Sequence, residues 1–248
     1  MFSIKKILLL LLIPLSLEST IIEIEHIADV AQLVKEHAEM HHNNKVLVAF
    51  DLCNTLFCPR LYQDWGSDHW LDAHAKRLIE KEGIEPIKAW NALLPIYCEI
   101  QGHPAFMLEP VEMGTLEALE SIKMYADITI ALTARSLPII SETLTRMYNA
   151  GISFKTTGFG PAFDMNYIRA RYQEGVIFCS GGNKGIALLS VLKKVDYIPT
   201  EIIIVDDKLS NLLAIEKAFI AAQSEIKLTL IHYTHLRDVV RRFTLGDY

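Results

Sequence analysis

Runs of lysine and arginine are missing from this chain, and their absence removes one class of function at the outset. The 24 Lys+Arg residues face 30 Asp+Glu, a formal charge of −6, with no basic cluster among them. Phosphate backbones are bound chiefly by clustered cations, so no nucleic-acid partner is expected. Glycine (12) and proline (9) are too few for a collagen-like or low-complexity chain, and a 51% hydrophobic content is too high for a disordered one. No internal repeat and no linker rich in Gly, Pro or Ser divides the sequence, so one globular domain is expected.

Cysteine is scarce as well: Cys53, Cys58, Cys98 and Cys179 are the whole set. None falls in a CxxC pair or in a Cys/His cluster with zinc spacing. Disulfides, including one from Cys53 to Cys58 or Cys179, and free buried thiols both remain open, because a domain of this size does not need staples. His37 and His41 stand four apart in an expected helix and could share a face as metal ligands do, but with His42 adjacent a solvated polar face is the better reading. Long apolar runs are confined to Ile7 to Leu17, which follows Lys5 and Lys6 and precedes the polar Glu18-Ser19-Thr20. That run is short for a bilayer span, and its layout is that of a secretory signal. The expectation is a signal peptide over 1–20, a mature chain over 21–248 that is exported to a periplasm or secreted, and no stable membrane span once the signal is removed. An uncleaved anchor and a buried strand are the competing readings, since Leu17-Glu18-Ser19 lacks a small-x-small cleavage pattern.

What is present is an alternation of buried strands and amphipathic helices. Continuous apolar runs occur at Val46 to Phe50, Ile128 to Leu132, Ile202 to Val205 and Leu228 to Ile231, the pattern of strands covered on both faces in a parallel sheet. A looser strand is expected at Ile21 to Glu25, and Cys179 ends another. Helical spacing appears at Ala28 to Met40, Thr115 to Met124, Leu137 to Ala150, Gly185 to Lys194 and Ser210 to Ala222. The fold class is therefore α/β: a Rossmann-like parallel sheet flanked by helices, with its ligand at the carboxyl ends of the strands. Those ends carry Asp51, Thr133 and Asp206. The stretch of about 57–110, after the first of these ends, is too long for a simple crossover; with helices expected near Trp65 to Lys81 and Pro86 to Ile100, it is expected to be a small helical cap over the site.

Four segments carry the chemistry. They are Asp51-Leu52-Cys53-Asn54-Thr55, Thr133 after an apolar strand, Lys184 at the opening of a helix, and Asp206-Asp207-Lys208-Leu209-Ser210-Asn211. Phosphoryl transfer to a carboxylate needs an in-line nucleophile, cations around the equatorial oxygens and a metal between the two anions. Asp51 offers the carboxylate, Lys184 a fixed ammonium and Thr133 a hydroxyl, while Asp51, Asp206 or Asp207 and the Cys53 carbonyl offer the hard oxygens that Mg²⁺ prefers. Asn211 could orient those ligands. Arg135 could hold phosphate or lie on a helix surface, and Trp65, Asp68, His69 and Trp70 could face substrate from the cap, with packing within the cap the simpler reading for both tryptophans.

In this order the segments resemble those of the haloacid dehalogenase-like superfamily, the phosphatases with an aspartate nucleophile, and in particular an uncharacterised group of exported bacterial members. The resemblance spans roughly residues 45–235. It implies a Mg²⁺-dependent phosphohydrolase that forms an aspartyl-phosphate on Asp51 and acts on a small phosphorylated substrate. One position departs from the pattern: Cys53 stands where the superfamily's phosphatases carry the Asp that protonates the leaving group and then activates water. A thiol of ordinary pKa near 8.5 suits that work poorly. Two expectations follow: a slow or specialised phosphohydrolase, recruiting an acid such as His69 from the cap or using good leaving groups, and a non-catalytic relative that binds a phosphorylated ligand or a partner.

Overall fold

The structure is a computed structural model that describes residues 19–40, 45–59 and 67–245. The expected signal segment, through residue 18, and His41, His42 and Trp65 lie outside the described residues. An eight-stranded sheet forms the centre, in the order β1 (Ser19–Ile24), β10 (Lys227–Tyr233), β9 (Glu201–Asp206), β2 (Val46–Phe50), β5 (Ile128–Thr133), β8 (Val176–Phe178), β7 (Ala170–Gln173) and β6 (Phe163–Met165). The first six are parallel, and β7 and β6 continue the sheet antiparallel. The class expected from the apolar runs, an α/β fold built on a parallel sheet, is the one observed.

Period-two alternation explains why β2 is apolar throughout. In β2, Val46, Val48 and Phe50 face one side, where they join Ile27, Val30 and Val34 of α1 (Ile27–Met40) and Leu119 and Ile122 of α4 (Thr115–Tyr125). Leu47 and Ala49 face the other, packing with Leu188 and Val191 of α6 (Lys184–Lys194) and Ile215 and Phe219 of α7 (Leu209–Ala221). A strand covered on both faces removes every side chain from water, and all of β2 and β9 is buried. The helix expected at Leu137 to Ala150 divides into a 3-10 turn over Leu137–Ile139 and α5 (Ile140–Asn149).

The chain leaves and re-enters this layer structure through a short antiparallel pair, β3 (Phe57–Pro59) and β4 (Leu108–Pro110). Between them lie α2 (Asp68–Glu82) and α3 (Pro86–Gly102), which share a small apolar cluster of Leu71, Ala75, Leu93 and Tyr97. Ser67 caps α2 by accepting from the Trp70 N–H at 3.0 Å, and Gly83 closes it in the left-handed conformation. A last helix, α8 (Arg237–Leu245), follows β10 and abuts α2.

Candidate functional site

β2 lies between β9 and β5, so the chain ends of three neighbouring strands converge on one crevice. Asp51 directly follows β2 and its N–H donates to the Val205 carbonyl at 2.8 Å, which pins it beside the end of β9. Thr133 closes β5 and Asp206 closes β9, both buried. Lys184 opens α6, whose N-cap Asn183 accepts from the Ile186 N–H at 3.0 Å. Open sheets place their ligands at such a switch in strand order.

The four expected segments meet there. Lys184 Nζ lies 2.8 Å from Asp51 Oδ1 and 2.6 Å from Asp206 Oδ2. The Asn211 amide donates to both oxygens of Asp206, at 2.9 and 3.1 Å, and the Lys208 N–H donates to Oδ1 at 2.9 Å. One carboxylate oxygen each from Asp51, Asp206 and Asp207 lies within 4.8 Å of the others. Burial lifts Asp51 to about 6, even though Lys184 opposes the shift. Burial, with Asp68, Asp206 and Asp51 close by, also holds Asp207 well above the ordinary carboxylate range, and its Oδ1 is buried without a hydrogen-bond partner. For Lys184 burial works against the charge, but the two carboxylates outweigh it and keep the ammonium. Three clustered carboxylates against one bridging ammonium, with one orphaned oxygen, form a donor set that fits a hard divalent cation.

Cys53 lines the same crevice, half-buried, and its sulfur accepts from Arg135 Nη1 at 3.3 Å. Burial pushes its thiol up to about 12, with Arg135 acting in the other direction. Arg135 is not on a helix surface: it is buried, donates from Nε to Thr143 Oγ1 at 2.9 Å, and donates from Nη2 to the Gln101 side chain at the end of α3. All four cysteines are free, so neither disulfide from Cys53 forms.

A cavity of about 470 Å³ opens over these groups, lined by Asp51, Cys53, Thr133, Arg135 and Lys184 below and by Asp68, Trp90 and Tyr97 of α2 and α3 above. Asp68 ties the two layers together. Its carboxylate takes the Asn54 amide at 2.7 Å and Lys208 Nζ at 2.7 Å, and Lys208 also reaches Asp72 at 2.9 Å. Burial disfavours ionisation of Asp68, but Lys208 and then His69 outweigh it, leaving the carboxyl below the ordinary range. His69 lies against the carboxylate cluster but outside the main cavity: its Nε2 is 3.8 Å from Asp207 Oδ2, and together with Asp207, His232 and Arg237 it lines a neighbouring cavity of about 390 Å³. Trp70 is half-buried with its ring 4.3 Å from that of His74, a packing role within the helical pair. His37 pairs with the buried Glu201 at 2.9 Å. Tyr97 and Gln101 fall outside the four sequence segments, and Asn54 and Lys208 fall within them without an assigned role. The position of Lys208 directly after Asp206-Asp207 was the one signal available for it.

Comparison with known proteins gives four further findings. A candidate outer membrane protein of Chlamydia pneumoniae is 26% identical over 137 residues, an alignment covering 55% of this chain and 51% of the relative, so the match extends over about half of that protein's length. A candidate haloacid dehalogenase-like hydrolase from Burkholderia xenovorans LB400 superposes on 79% of this chain and 98% of its own, at 15% identity and a TM-score of 0.40. A candidate phosphatase from Clostridium difficile covers 80% and 99%, at 12% identity and a TM-score of 0.43. Residues 23–244, from β1 through α8, match the family model described as a protein of unknown function, DUF2608, and the chain belongs to that family.

Proposed function

We propose that this chain is a Mg²⁺-dependent phosphohydrolase that acts on a small phosphorylated substrate through Asp51. The observation that carries the reading is the Lys184 ammonium fixed between Asp51 and Asp206, beside an Asp207 oxygen that is buried without a partner. Asp51, Asp206 and Asp207, with the Cys53 carbonyl as the resemblance implies, would hold the ion. When bound, Mg²⁺ supplies the charge that offsets repulsion between the nucleophile and the phosphate. Asp51 attacks phosphorus as the bond to the leaving oxygen breaks, while Lys184, Thr133 and Arg135 meet the remaining phosphate oxygens.

Proton transfer is where this site is poor. The Cys53 thiol, raised to about 12, is a feeble acid and carries almost no thiolate to act as a base. Asp68 is held ionised by Lys208, and His69 lines the other cavity. Substrates whose leaving groups need no proton, such as aryl or acyl phosphates, suit this arrangement. Water attack on the aspartyl-phosphate then lacks a base, so the phosphorylated enzyme builds up. The test is turnover of a generic aryl phosphate: slow release of phosphate that requires Mg²⁺ and vanishes in Asp51→Asn is expected, and equal release by both proteins overturns the proposal.

The Arg135–Cys53 contact also supports a second reading, a non-catalytic relative that binds a phosphorylated ligand with the same groups. That reading expects phosphate-bearing ligands to bind with no turnover for any leaving group. The basic start, the apolar run to Leu17 and the outer-membrane name of the Chlamydia relative support export as part of the proposal. β1 begins at Ser19, and Ser19 and Thr20 register with Leu228 and Thr229 at the sheet edge. A cut after Thr20 would remove both of these residues from the edge strand. Among the described residues no helix is long and apolar enough to cross a membrane.

A further inference from the structure

A second group of metal-ligand side chains lies at the far edge of the sheet, apart from the carboxylate cluster. His26 sits in the turn between β1 and α1, Glu112 between β4 and α4, and His235 just past β10. Ligand atoms of all three lie within 4.8 Å of one another. His26 Nδ1 is 3.3 Å and His235 Nδ1 3.6 Å from the same oxygen, Glu112 Oε2. In a tetrahedral zinc site with bonds of about 2.1 Å, neighbouring ligand atoms are about 3.4 Å apart. The two distances to Glu112 Oε2 match that spacing, and the third ligand pair falls within 4.8 Å.

The other half of the carboxylate is already engaged. Glu112 Oε1 accepts from the Tyr233 hydroxyl at 2.5 Å and from the Ile27 N–H at 2.5 Å, which fixes the plane of the carboxylate and leaves Oε2 aimed at the two imidazoles. Outer hydrogen bonds of this kind orient first ligands in metal sites. His235 Nδ1 is buried with no hydrogen-bond partner, although its ring lies against Tyr233 with 6.1 Å between centroids. His26 is 57% exposed, so the group opens to solvent on one side, where water could complete a shell. Two imidazoles and one carboxylate suit a borderline divalent transition metal rather than Mg²⁺ or Ca²⁺.

We propose that His26, Glu112 and His235 bind a single transition-metal ion of the zinc class. The ion would join the β1–β10 edge of the sheet to the loop that leaves the β3–β4 pair, because Val111, next to Glu112, donates to the Leu56 carbonyl at 3.2 Å.

The test is Co²⁺ titration of the full chain after chelator treatment, read by visible d–d absorption, with Zn²⁺ competition. One equivalent with intense absorption, displaced by Zn²⁺, is expected in the wild type and equally in Asp206→Asn. His26→Ala, at an exposed position that leaves the fold intact, should abolish the bands, as should His235→Ala. Tyr233→Phe keeps all three ligands and should weaken Co²⁺ about 10- to 100-fold, the usual effect of losing an outer hydrogen bond. Absence of the bands in the folded wild type overturns the proposal, and so does their survival in His26→Ala and His235→Ala. Loss in Asp206→Asn with retention in His26→Ala would assign the ion to the carboxylate cluster and likewise overturn it.

Discussion

At position 53 the Arg135 guanidinium, 3.3 Å from the sulfur, decides what a replacement could do. A carboxylate introduced there would face a fixed cation that favours its ionised form. It would serve water attack on the aspartyl-phosphate as a base better than it would protonate a departing alcohol. Cys53→Asp should therefore raise aryl phosphate turnover by up to about 10²- to 10⁴-fold, the usual contribution of general acid–base catalysis. Alkyl phosphates should gain less. Steady-state rates on one substrate of each kind check this, and a folded variant with no gain on either contradicts it. Asp51 makes a separate prediction through stability. Its folded pKa is raised from 3.8 to about 6, so the folded state holds the proton more tightly than the unfolded chain. Its contribution to stability is fully present below about pH 3.8 and is lost as pH rises through 6. In the presence of a chelator, Asp51→Asn should gain melting temperature relative to the wild type between pH 4 and 7, and a difference that does not change with pH would contradict the assignment.

Among the elements, α6 positions Lys184 and depends on its second residue. A methyl group at Gly185 would come within 2.8 Å of the Ala218 Cβ and of the Ile215 Cα on α7. Only a bare Cα lets the two helices approach this closely. Gly185→Ala should destabilise by about 1–3 kcal/mol through overpacking and displace the lysine from its two carboxylates. Chemical denaturation together with turnover reads both effects, and an unchanged protein would show that the helices can separate freely. The elements that position the site were legible in the sequence for a physical reason: strands buried on both faces are predominantly apolar, and β2 is so throughout while β5, β9 and β10 each carry an apolar stretch interrupted or flanked by only a few polar residues. The β6–β7 hairpin was not foreseen, because strands of three and four residues leave no period to read. The β3–β4 pair is equally short, so only the excess length of the insertion announced it.

On the scale of the whole molecule, legibility followed whether a feature lies within one segment or between segments. Asp51, Thr133, Lys184 and Asp206 each end a strand or open a helix, so their meeting point follows from the parallel sheet itself. The clamp of Lys208 on Asp68 and Asp72 joins residues well over a hundred positions apart. The His26–Glu112 pair spans 86 positions. No local pattern encodes either pairing, and only the folded chain brings them together. The same holds for Cys53: a cysteine in place of the second Asp of the pattern its segment resembles was visible in the sequence, but Arg135 as its partner was not.

The proposed activity has Asp51 as its nucleophile and a stalled second step. Acid quenching of the Mg²⁺-loaded protein during turnover of an aryl phosphate, followed by peptide mass spectrometry, tests this most directly. The predicted result is a phosphoryl group on the peptide carrying Asp51, present in the wild type and reduced in Cys53→Asp as the second step accelerates. Turnover with no phosphoryl group on Asp51, or no adduct and no turnover under the same conditions, would contradict it.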